Sequence, residues 1–199
     1  DALAEFRTIR ETTQSERIGA RNLGIWAKMR ERQGMTTQVN TLRRWLLDEY
    51  PQSGAAAEVA WEQGSNAEAR GALDEALERY SFLADNVRTH ARAGQARMRS
   101  GQIELRRSNL KAAAEVFEAY LEDFPTGRRW QEAGYWAGRV RLQLGDTVAA
   151  TRHLNNVLAA PVEYYAVMAA DLLNVPFAVD VPEGALSTEP AWLTEGLVR

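Results

Sequence analysis

"HARAGQARMRSGQIELRRSNLKAAAEVFEAYLEDFP", His90 to Pro125, holds two helix-forming runs that meet at Ser108-Asn109 and close on a proline. In the second run Leu110, Ala113, Ala114, Phe117, Tyr120, Leu121 and Phe124 recur at spacings of three and four. Such spacing gathers them on one face of a helix, and that face must bury against a neighbour. Pro125 stops the run, because proline lacks the backbone donor and its ring clashes with the preceding turn.

The same pattern recurs every 37 residues. Gly64, Gly101 and Gly138 are 37 apart, as are Ala76, Ala113 and Ala150. Tyr80, Phe117 and Leu154 form a third column, and Ala84, Leu121 and Leu158 a fourth. One step back reaches Ala27, Val39, Leu47 and Tyr50, a weaker first copy. Tyr50-Pro51 and Phe124-Pro125 stand two periods apart, with Val87-Arg88 between them. Fixed self-similarity of this length is the mark of a repeat array. Each unit reads as a helix pair whose glycines let the partner helix's alanine come close. Gly145-Asp146-Thr147 reads as a turn with Asp146 capping the next helix, and Thr13 to Glu16 ("TQSE") as a capping box.

Helix–turn–helix units of this length, with small residues at these offsets, resemble tetratricopeptide repeats. The resemblance implies an all-α, right-handed α-solenoid with a concave groove lined by first helices, because a single unit cannot bury its own apolar face. The expected division is a superhelical domain over 1–177, with repeats near 15–51, 54–88, 90–125 and 128–161 and a half-repeat at 162–174. Residues 178–199 are expected to be a linker and the truncated start of a further helix, capped by Ser187 or Thr188 with Pro190 in its first turn. About ten or eleven helices and no sheet are expected for the whole.

Composition narrows the function classes. Acids outnumber bases 27 to 24, and Lys28 and Lys111 are the only lysines. Arginines alternate with glutamates instead of clustering, which argues against a nucleic-acid-binding stripe. No cysteine is present, so disulfides and thiolate metal sites are excluded. No run reaches the ~20 apolar residues of a spanning helix. The first residue is Asp1 rather than methionine, and an upstream segment is expected to have been removed.

The chain shows no complete active site. His90 and His153 lie outside any metal-ligand or nucleophile spacing and read as surface residues, so no metal or cofactor is expected. Acidic pairs such as Asp48-Glu49, Asp74-Glu75 and Glu122-Asp123 sit among arginines and read as solvated acids, not as a catalytic pair with one member in an apolar cleft. Trp61, Met98 and Tyr135 share one column on the first helix of their units. They are either inter-repeat core or a stacking ledge in the groove for a sugar or peptide chain. Trp130 and Trp136 flank the same helix as Tyr135.

Residues 133–175 resemble the end of the superhelical domain in soluble lytic murein transglycosylases. The features are Tyr135-Trp136, the Leu144-Gly145-Asp146 turn, and Tyr164-Tyr165 leading into Ala169-Ala170-Asp171-Leu172-Leu173. The likeness extends more loosely over 40–177. Ala166 and Asn174 stand where glycines are usual, and Val87-Arg88 lacks the proline. The resemblance implies a periplasmic protein of the bacterial envelope, outer-membrane anchored if an upstream segment supplies the anchor. That family cleaves the bond between N-acetylmuramic acid and N-acetylglucosamine, leaving a 1,6-anhydro product, with one glutamate of a Glu-Ser motif in a lysozyme-like module. No Glu-Ser dipeptide occurs here, so no catalytic residue is carried over. The expectation is a non-catalytic scaffold that positions such a module and contacts glycan strands or envelope proteins. Segments such as Phe117 to Gly138 also resemble repeats of outer-membrane assembly lipoproteins and Tol–Pal-associated proteins, which implies an interaction protein without enzymatic activity. A cytoplasmic peptide-binding adaptor would need a groove rich in basic side chains, and the sequence shows mixed charge.

Overall fold

The computed structural model describes residues 15–160 and 164–177, together with Ala4 and Thr8. Among the described residues lie nine helices and no strand. They are α1 (Glu16–Arg32), α2 (Thr36–Glu49), α3 (Gly54–Ala69), α4 (Leu73–Asn86), α5 (Ala93–Arg106), α6 (Leu110–Asp123), α7 (Trp130–Gln143), α8 (Thr147–Leu158) and α9 (Tyr164–Leu173). Each odd helix turns back through a short link and packs on the even helix after it, giving four pairs and a single α9. The pairs stack in chain order, so the architecture is an all-α solenoid of tetratricopeptide-like units.

The turns repeat as strictly as the helices. Gly34, Gly71, Ser108 and Gly145 all have positive φ, and they are 37 residues apart. At each, the chain closes the odd helix with the same pair of backbone bonds. Gly71 N donates to Glu68 O at 3.0 Å while Ala72 N donates to Ala67 O at 2.9 Å. The left-handed residue satisfies carbonyls that the helix end would otherwise leave bare. Asn174 has φ 52, and Asn174 N and Val175 N make the equivalent bonds to Asp171 O and Ala170 O, so α9 ends as the other odd helices do.

The glycine column meets the large-residue column. A Cβ on Gly64 would stand 2.9 Å from Tyr80, one on Gly101 2.6 Å from Phe117, and one on Gly138 2.6 Å from Leu154. The sequence reading, that these glycines admit an alanine of the partner helix, is corrected: they admit its largest core side chain. Tyr80, Phe117 and Leu154 are accordingly all buried. The position lies seven residues ahead of each left-handed turn residue, as in Gly138 and Gly145. In α9 it is held by Val167, seven ahead of Asn174 and 46% exposed. In the first unit it is Ala27, and the place of the ring is taken by Arg43.

Other ends differ from the reading of the sequence. Ser15 is the N-cap of α1 and makes no side-chain capping bond; Thr13 lies outside the described residues. Ser53 and Asp146 do cap, accepting from Ala56 N and Ala149 N at 3.1 Å each. Tyr50, Val87 and Phe124 end α2, α4 and α6 with φ near −130° and ψ between 50 and 60°. Val87 reaches that conformation without a following proline, held by its own burial. Pro161, Ser187, Thr188 and Pro190 lie outside the described residues. The core runs as three apolar clusters, the first centred on Leu23, Leu46, Tyr80 and Leu83, the next on Phe117, and the last on Leu154 and Val157.

Candidate interaction cleft

The junction between the first two pairs is looser than any later one: α2 and α1 touch α3 over much less surface than α4 touches α5 or α6 touches α7. A cleft of about 1270 Å³ opens there between α1 and α3. Where later units hold a ring or a leucine, Arg43 sends its guanidinium to Glu31 at 3.0 Å and to Glu62, across the gap on α3, at 2.8 Å. Tyr50 and Pro51 line the cleft, as does Arg92, just ahead of α5.

Trp61 projects from α3 into this space, half-buried. One side of its ring packs against Tyr80, with centroids 5.5 Å apart, and the Arg92 guanidinium lies 5.0 Å over the ring. The other two members of the column are placed differently. Met98 is 1% exposed and Tyr135 3% exposed, both inside the core. The three side chains therefore do not form one continuous ledge; Trp61 alone lines the cleft.

The expected marker residues come together elsewhere. Tyr135 contacts Trp136 and Tyr165, each with centroids 5.5 Å apart, and Tyr165 meets Tyr164 edge-on at 5.2 Å. Trp136 stacks on Phe117 at 6.3 Å and carries the Arg139 guanidinium at 5.1 Å. An unbroken aromatic run thus joins the third pair to α9 and ends in Tyr164, which is 68% exposed. Burial, with the Glu132 carboxylate nearby, raises the Tyr165 pKa. Trp130 packs half-buried at the edge of the same core, and Gly145 and Asp146 form the turn and cap already described.

Two sequence readings are revised here. His153 is not a surface residue: it is buried, with Nε2 3.0 Å from Glu118 Oε1. Arg141 donates to both oxygens of that carboxylate, at 2.9 and 2.6 Å. The hydrogen bonds from Arg141 lower the Glu118 pKa against the opposing effect of burial. Likewise Asp123 is no solvated acid, being paired with Arg97 at 2.6 Å and Arg88 at 3.0 Å. These acids tie successive pairs together. Among the described residues no group of three His, Cys, Asp or Glu is placed to hold a metal ion, and no helix is long and apolar enough to cross a membrane.

A family model for the tetratricopeptide repeat matches residues 55–128, the second and third helix pairs. The chain therefore carries tetratricopeptide-like repeats. No curated protein matches. Among solved structures, the crystal structure of MamA aligns at 13% identity over 75% of this chain and 85% of that one, with a TM-score of 0.47. Nearly identical TPR-like repeats of a Podospora anserina kinesin light chain align at 11% identity over 81% and 90% of the two chains, also with a TM-score of 0.47.

Proposed function

We propose that this chain is a non-catalytic interaction scaffold that seats a segment of a partner protein in the cleft between α1 and α3. The observation that carries this reading is the cleft itself: about 1270 Å³ of space at the one loose junction of an otherwise tightly stacked array, with a half-buried tryptophan on its wall. A concave site with one aromatic anchor and a polar surround is the form that peptide and ligand sites take. Site-specific photo-crosslinking tests it. A benzophenone side chain at Gln52 or Glu58 should capture one defined protein, whereas one at Glu115 on α6 should not. Equal capture from all three sites, or from none, removes the reading.

A finer reading is that the scaffold belongs to a periplasmic lytic transglycosylase, where it would hold a lysozyme-like module and touch peptidoglycan. Its support is the resemblance over 133–175 together with the contact of Tyr135, Trp136, Tyr164 and Tyr165 in one aromatic run. On this reading the 199 residues release no anhydro-muropeptides from isolated sacculi, yet sediment with them. Release of product by the chain alone, or failure to sediment, sinks it.

A further inference from the structure

The two walls of the cleft differ in charge balance. On α3, Glu62 is paired with Arg43 at 2.8 Å and Glu58 with Arg92 at 3.7 Å, the His90 Nε2 lying 3.3 Å from the same carboxylate. On α1, Arg17, Arg21 and Lys28 face the same space, all three exposed, and Glu16 of that helix and Glu49 of α2 are the acids that line it beside them. None of the three enters an ion pair among the described residues, whereas most arginines on later helices do. The acids of α3 thus have cationic partners, whereas α1 sets three unpaired cations against one glutamate along the cleft.

Spacing gives the cationic wall a length. At 1.5 Å per residue, Arg17 and Arg21 are about 6 Å apart along α1 and Lys28 is about 10 Å further, so the row spans about 16 Å. An extended peptide covers that distance in about five residues. Exposed arginines next to low-dielectric walls bind carboxylates in two-point geometry, and the like-signed row concentrates the field in the cleft. Between them Gly24 stands close to Ala55, leaving no bulky side chain to fill the floor. Across the gap, Trp61 offers an apolar edge.

Resting on the reading of the cleft as a protein-docking site, we propose that its occupant is an acidic segment. Its carboxylates would lie along Arg17, Arg21 and Lys28, with one apolar or aromatic side chain set against Trp61.

The test uses the full chain as bait for a phage-displayed library of random twelve-residue peptides. The expected selection is net acidic, with an apolar or aromatic residue near its acids. Synthetic copies should lose about tenfold or more in affinity for the variant Arg17→Gln/Arg21→Gln/Lys28→Gln, and also for Trp61→Ala. All three cations are exposed, so circular dichroism should show the triple variant folded. Peptides that lose affinity for Trp61→Ala but show no acidic bias overturn this inference and leave the docking role standing. Peptides indifferent to both variants overturn both readings. A heparin oligosaccharide that displaces the acidic peptides at lower concentration than they need themselves shows an unselective cationic surface, and likewise overturns the inference.

Discussion

Phe117 Cε1 occupies the space in which Gly101 would carry a Cβ, 2.6 Å from that position. No real pair of carbons tolerates that separation, so a ring and an alanine cannot share the site without one helix moving. Gly101→Ala should therefore destabilise the array by about 1–3 kcal/mol, although alanine is intrinsically the better helix former. Urea unfolding followed by circular dichroism measures this. A gain in stability would mean that α5 and α6 are not held at this distance.

Ser108 is expected to show the opposite sign. It carries φ 60 where Gly34, Gly71 and Gly145 carry 72 to 80, and a non-glycine residue is strained there. Ser108→Gly should raise stability by about 1 kcal/mol in the same measurement. An unchanged or lowered midpoint would show that the serine side chain contributes something the turn geometry does not reveal.

Glu118 makes stability depend on acid. Hydrogen bonds from Arg141, and secondarily His153, hold its folded pKa below the ordinary value of 4.5. The unfolded chain therefore takes up the proton more readily. The stabilisation is complete above the ordinary value and disappears as pH falls through the depressed folded one. Unfolding midpoints followed downward from pH 7 should drop more steeply for the wild type than for Glu118→Gln below about pH 4.5. Parallel curves would exclude Glu118 as the source.

Trp61 and Tyr135 share a sequence column but should part company on substitution. Tyr135→Ala empties a buried site between the last pair and α9 and should cost about 3 kcal/mol or more. Trp61→Ala trims a half-buried side chain and should cost clearly less, with its main effect on binding to the cleft. Equal losses of stability would return Trp61 to the core.

Much of the fold is legible in sequence because the repeat makes each column visible several times. A glycine, a ring and an alanine at 37-residue spacing are physical requirements of stacking, and the structure places them in one register. What the columns do not reveal is which of them meet. Gly101 faces Phe117 across the pair, a relation that spacing alone leaves open. The cleft was not legible: Arg43 breaks the column of Tyr80, Phe117 and Leu154, but nothing in the sequence shows that its guanidinium bridges Glu31 and Glu62. The cationic wall was not legible, since Arg17, Arg21 and Lys28 stand out only once the neighbouring acids are seen to be paired elsewhere. The burial of His153 was hidden for a similar reason. Its partners Glu118 and Arg141 come from two other helices, and the polar residues beside it in sequence point away from that contact.

Val167 sets where such an array can grow. A unit copied into the middle of the chain would bring its own glycine to meet its own ring, and each neighbour would find the surface it already had. A unit added directly after α9 would have to lay its second helix across a valine, at the place where Leu154 needs bare backbone on Gly138. Duplication is thus tolerated among the paired helices and penalised directly after α9.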